Sequence, residues 1–231
     1  MPRQLALPLP RRGGRREGAG RPRTRPHPGL VGPGVPHLTR EEFAARHPIH
    51  VTLRLQPGIG YLRKYQRAKL VEGALREARI RFGMRIIHYS IQGNHLHLIV
   101  EAEGASALAR AMQGLAIRLA KRLNALAGRS GSVFADRYHA HVLRSRRETA
   151  RAIAYVRDNY RHHSHEHLPD GWEDPFSSAR YLARDPDENA PVALPRTWLL
   201  RVGWRAESMA PRTGNGCSTA RSSAMIRGKY G

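Results

Sequence analysis

RIIHYSIQGNHLHLIVE, residues 85–101, is the stretch whose reading decides the fold. Arg85 to Ile91 reads as a strand, Gln92-Gly93-Asn94 as a tight turn, and His95 to Glu101 as a returning strand. Side chains alternate across a strand, so Leu96, Leu98 and Val100 share one face while His95 and His97 share the other. At a rise of ~3.3 Å per residue the two histidine Cα atoms lie roughly 7 Å apart. Two imidazoles at that spacing can converge on one metal ion. They can equally be a half-exposed strand pair with no ligand, and the spacing leaves both readings open.

Working outward, Ile49-His50-Val51-Thr52-Leu53-Arg54-Leu55 alternates and stops at Pro57-Gly58, as a strand and turn do. A helix is expected from about Leu62 to Phe82, with Val71, Ala74, Leu75, Ala78 and Phe82 on one face and Gly83 as its stop. Beyond the hairpin, Ser106 is a candidate N-cap. Leu108, Ala111, Met112, Leu115, Leu119 and Leu123 repeat at helical spacing from there to Gly128. Tyr138 to Arg144 reads as another strand, and Ser145-Arg146-Arg147-Glu148 as a capping box opening a helix to about His162. The order βαββαβα predicts an α+β fold: a ferredoxin-like βαββαβ antiparallel sheet with helices on one face, plus a further C-terminal helix. Four regions are expected: a basic Arg/Pro/Gly-rich disordered arm over residues 1–48, a folded domain over 49–163, an extension packed on it over 164–205, and a disordered tail over 206–231.

Charge narrows the partner. Forty Lys and Arg against eighteen Asp and Glu leave +22, and nearly all the basic residues are arginine. The arginine fork matches phosphate oxygens, so nucleic acid is the expected partner. With one cysteine, Cys217, neither a disulfide framework nor a cysteine zinc site can form within the chain. No apolar run approaches the ~18 residues that a membrane span needs. In MPRQLALPLPRRGG the apolar patch is short and broken by prolines, and Arg11 and Arg12 follow it, unlike a secretory signal. A cytoplasmic, nucleoid-associated protein is expected.

The third helix carries the next candidates. Thr149, Ile153, Val156 and Tyr160 form its core stripe. Tyr155 stands ~200° round from Ile153, off that stripe, with Asn159 one turn further along on Tyr155's side. His139-Ala140-His141 repeats the His-x-His spacing on the fourth strand and is a rival pair. His162, His163, His165 and His167 cluster irregularly at a helix end, where solvated surface is the plainer role. Phe134, Arg137 and Tyr138 can stack on unpaired bases, while Phe134 and Tyr138 equally suit a core.

GNHLHLIVEA, VFADRYHAH and the helix bearing AYVRDN, in that order, resemble the single-tyrosine HUH transposases, in particular the REP-associated tyrosine transposases. The resemblance runs from about His50 to His162 and would make residues 49–163 the catalytic domain. It matches His95 and His97 to the family's His-hydrophobic-His pair and Tyr155 to its nucleophile. Asn159, one turn on, falls where related enzymes place a third metal ligand. One departure is Tyr160, where the family often has proline. The resemblance implies Mg²⁺ or Mn²⁺ held by His95, His97 and Asn159, and single-stranded or hairpin DNA as substrate. It further implies a 5′-phosphotyrosine intermediate and a monomer or homodimer. It gives His139 and His141 a structural or DNA-contacting role. Further DNA contacts are expected from Arg118, Lys121, Arg122 and Arg137, and from Arg21 and Arg23 of GAGRPRTRP, which resembles an AT-hook but also suits a non-specific phosphate-binding arm. The competing functional class is a non-cleaving DNA-hairpin-binding protein.

Overall fold

The computed structural model describes residues 41–163, 168–169, 171–181 and 185–208. The arm with Arg21 and Arg23, the cluster positions His165 and His167, and the tail from residue 209 lie outside the described residues. Five strands, β1 (Ile49–Arg54), β2 (Ile80–Arg81), β3 (Met84–Ile91), β4 (His95–Ala102) and β5 (His139–Val142), form one sheet in the order β2-β3-β4-β1-β5. Every neighbouring pair is antiparallel. Without the short β2, the order and direction are those of the expected ferredoxin-like sheet. Strands β4 and β1 are central, so the histidine pair sits on a strand held from both sides.

The two faces are covered differently. Helices α1 (Tyr65–Ala78) and α2 (Ala105–Leu126) pack on one face, where Val51, Leu53, Ile86, Leu96, Leu98 and Val100 meet Val71, Leu75, Leu108, Met112 and Leu115. Helix α3 (Arg146–His163) covers the opposite face, burying Ala152, Ile153 and Val156 against Ile87, Ile99 and Leu143. Strand alternation therefore directs His95 and His97 toward α3, away from the α1–α2 layer.

Several element ends differ from expectation. Helix α1 ends at Ala78, and Ile80–Arg81 pairs instead with Met84 and Arg85. Phe82 (φ 53°) and Gly83 (φ 75°) form the loop of that hairpin. Two consecutive positive φ values are what a primed two-residue turn requires, and they carry the strand twist through the turn. Phe82 is consequently exposed rather than part of the α1 face. Gly104, not Ser106, is the α2 N-cap, and Ser106 lies inside the helix. The α3 capping box forms as read: the Glu148 N–H donates to Ser145 Oγ (3.2 Å), and Glu148 Oε2 accepts from the Ser145 N–H (3.2 Å).

Beyond α3 the chain holds a 3₁₀ turn (Ala179–Tyr181), a π-helical turn (Leu199–Gly203) and α4 (Trp204–Ser208). This stretch attaches through discrete polar anchors. Arg63 donates to both Asp174 oxygens and to the Ile91 carbonyl, each at 2.9 Å. Glu101 accepts from the N–H groups of Arg196 and Thr197. The Ala193 N–H donates to the Ile86 carbonyl. Among the described residues no helix is long and apolar enough to cross a membrane.

Candidate metal centre and nucleophile

The floor of the site is built from alternate residues of the two central strands. In register, Arg54 lies opposite His95, Thr52 opposite His97, and His50 opposite Ile99. On the other flank His50 pairs with His141 and Thr52 with His139. His50, Thr52, Arg54, His95, His97, His139 and His141 thus share one face of the sheet.

The side chains converge. The His95 and His97 rings stand edge to face with centroids 4.7 Å apart. Nδ1 of each is already engaged. That of His95 donates to Asn94 Oδ1 at 2.8 Å, and that of His97 lies 3.1 Å from His50 Nε2 and 3.2 Å from Thr52 Oγ1. An imidazole whose Nδ1 is spoken for presents Nε2 as its ligating atom.

Tyr155 reaches this floor from α3. Its ring centroid is 5.2 Å from that of His97 and 5.9 Å from that of His50, both edge-on, and the side chain is 39% exposed. A phenol that touches the histidines while remaining open to solvent is positioned to meet a substrate. Asn159 differs from expectation: it is not on Tyr155's exposed side but fully buried, with neither amide atom hydrogen-bonded. An unsatisfied buried amide is costly and calls for an unseen partner. An advance of ~100° per residue turns position 159 about 40° from position 155, enough to pass from the helix's open edge to its buried one.

His50 is the site residue that sequence reading missed. Burial first, then the charges of His141 and His139, push its pKa down to about 4, so it is neutral at pH 7. A single histidine in an alternating strand carries no signal of its own. Its register against β4 and β5 gives it meaning. Arg54, exposed beside His95, was missed for the same reason.

The remaining candidates divide. His139 and His141 are exposed on the edge strand of this face. Tyr138 is buried and Phe134 packs on the core, which decides for the core reading of both. The Arg137 N–H donates to Asp136 Oδ1 at 2.7 Å. Arg118, Lys121 and Arg122 lie on α2, on the far side of the sheet, and Arg118 and Arg122 pair with Glu77 of α1. Tyr160 is half-buried, its ring beneath the Arg63 guanidinium at 3.5 Å. Among the described residues no group of three or more His, Cys, Asp or Glu is placed to hold a metal.

Compared with known families, residues 46–159 match the model described as "Transposase IS200 like". No curated protein matches the chain. Among solved structures the fold is similar to one described as "Structure of the REP associates tyrosine transposase bound to a REP hairpin", at 17% identity. That likeness covers 65% of this chain and 87% of that one, with a TM-score of 0.50.

Proposed function

Because the domain spanning residues 46–159 belongs to the IS200-like transposase family, we propose that this chain is a metal-dependent transposase that nicks and rejoins single-stranded DNA through Tyr155. The observation that carries the proposal is the half-open Tyr155 ring 5.2 Å from that of His97, on a face that also holds His95.

The donor set fits a divalent ion. His95 and His97 would ligate through Nε2, and Asn159 Oδ1 would find the partner it lacks. Two imidazoles and an amide oxygen suit Mn²⁺, with Mg²⁺ as a harder alternative. When bound, such an ion supplies Lewis-acid polarisation of the scissile phosphate. The protein's own groups do the rest. Tyr155 Oη attacks phosphorus and the bond to the 3′ oxygen breaks. The phenolic proton is balanced by the one taken up at the leaving 3′ oxygen, so the products are a 5′-phosphotyrosine and a free 3′-OH. Phosphoryl energy is retained in that ester. A 3′-OH attacking it in reverse restores Tyr155 and a phosphodiester without ATP. Arg54, opposite His95, offers a fork for the phosphate oxygens. The similar solved transposase is bound to a REP hairpin, which supports a hairpin with a single-stranded flank as the substrate here.

The test is a labelled hairpin with such a flank, incubated with the full chain and Mn²⁺. The expected product is a nicked strand whose 3′-OH a polymerase can extend, abolished by chelation. Hairpin binding with no nick would support a non-cleaving hairpin-binding protein instead.

A further inference from the structure

Two tyrosines that the chemistry above does not use stand exposed on the segment that leads into α1 and packs on the β3–β4 turn. Tyr61 is 50% exposed and Tyr65 70%, far more than large aromatic rings usually show. Tyr61 precedes α1 and Tyr65 opens it, four residues further along the chain.

Tyr61 is exposed but not loose. Its ring lies on the backbone of Gly93 so closely that a Cβ there would sit 2.5 Å from Cε2 and 2.9 Å from Cδ2. Gly93 has no positive φ, so its lack of a side chain serves the ring rather than the turn. The segment is clamped to the same turn by hydrogen bonds from the Leu62 N–H to the Gly93 carbonyl (2.8 Å) and from the Leu55 N–H to the Asn94 carbonyl (2.9 Å). Ile59 and Leu62 are buried behind it. The next residue after Gly93, Asn94, accepts the hydrogen bond that orients His95. A fixed ring with an open side is therefore built onto the loop that carries a candidate metal ligand.

The surrounding charge selects the occupant. Lys64 and Arg54 are exposed, the Arg67 side chain lies against Gly60, and Lys69 Nζ sits 5.7 Å from the Tyr65 ring centroid. Aromatic rings interleaved with cations match a strand whose bases stack while its phosphates are neutralised.

We propose that Tyr61, with Tyr65 beside it, is a stacking platform for unpaired bases of the DNA strand leading into the His95–His97 site. The idea rests on the reading of the chain as a single-strand transposase and adds to it a base-binding subsite. It places strand positioning on the β3–β4 turn rather than on α2.

The experiment uses the full chain carrying Tyr155→Phe, without divalent metal, so that binding is read apart from cleavage. The probes are a short oligodeoxythymidylate and an abasic strand of equal length, followed by fluorescence anisotropy. Tyr61→Ala should weaken the thymidylate strand about tenfold or more. The abasic strand should be bound as before, and Tyr61→Phe should keep the thymidylate affinity. Equal affinity of Tyr61→Ala and its parent for thymidylate would overturn the platform, as would an equal loss on the abasic strand. A change in oligomeric state, with thymidylate binding intact, would instead make the tyrosines a contact between copies and overturn it too. None of these outcomes depends on whether the native chain nicks DNA, so the two proposals fail separately.

Discussion

At the scale of single residues, orientation matters as much as identity. His95 and His97 were legible because two histidines two positions apart on a strand must share a face. Their roles become specific only through neighbours: Asn94 for one ring, His50 and Thr52 for the other. Residues that hold a ligand's second nitrogen typically change metal affinity roughly 10- to 100-fold when lost. His50→Ala combined with Thr52→Val should therefore weaken Mn²⁺ binding by about that factor, measured by titration calorimetry, with little change in melting temperature. A second histidine, His88, reports on stability instead. It is buried on β3, where Ser178 Oγ accepts from the Tyr89 N–H and faces His88 Nδ1 at 3.3 Å. Burial lowers its pKa from 6.5 to about 4. Between these values the unfolded chain takes up a proton that the folded chain refuses. Stability is thus fully present above about pH 6.5 and is lost as pH falls toward 4, by up to about 3 kcal/mol. Urea midpoints at about pH 7 and about pH 4.5 should differ less in His88→Asn than in the native chain.

At the scale of elements, periodicity was readable and side-chain anchoring was not. The α2 stripe of Leu108, Ala111, Met112, Leu115, Leu119 and Leu123 is buried throughout, and the Ser145–Glu148 box caps α3. The α1 stop was misplaced because Phe82 happened to extend the helical stripe, whereas the φ-positive Phe82-Gly83 pair belongs to a hairpin. The segment after α3 has no period, since polar contacts and scattered buried residues such as Ala190, Val192 and Leu200 hold it. Chief among the polar contacts is that of Asp174, whose carboxylate receives both arms of Arg63, the guanidinium lying over the Tyr160 and Phe176 rings. This one buried pair ties together the approach to α1, the end of β3, the last turns of α3 and the C-terminal segment. Removing one partner leaves an uncompensated buried charge, at a cost of about 3–5 kcal/mol. Asp174→Ala should show that loss in urea denaturation, and Arg63→Met with Asp174→Leu should lose much less. Since Tyr155 and Asn159 ride on α3, Asp174→Ala should also lower nicking below what its folded fraction explains.

At the scale of the molecule, the sheet divides labour between its faces. One face packs on α1 and α2 and supplies stability; the other carries the histidines beneath α3. Net charge predicted a polyanionic partner, but charge alone cannot say which face meets it. Arg118 and Arg122, expected to contact DNA, pair with Glu77 on the face of the sheet opposite the histidines. Arg54, inconspicuous in the sequence, stands beside His95 on the other side. Tyr155 was separable from Tyr160 because the helix period placed one off the stripe and the other on it. The histidines, the tyrosine and the buried amide come from β4 and α3, so the proposed site forms only when these two elements pack together. The most direct test is to incubate the chain with a single-stranded-flanked hairpin and Mn²⁺, denature, digest with trypsin and weigh the products. A nucleotide adduct on the peptide Ala152–Arg157, absent from Tyr155→Phe, is the result expected. Nicking without that adduct, or an equal adduct in Tyr155→Phe, would contradict Tyr155 as the nucleophile.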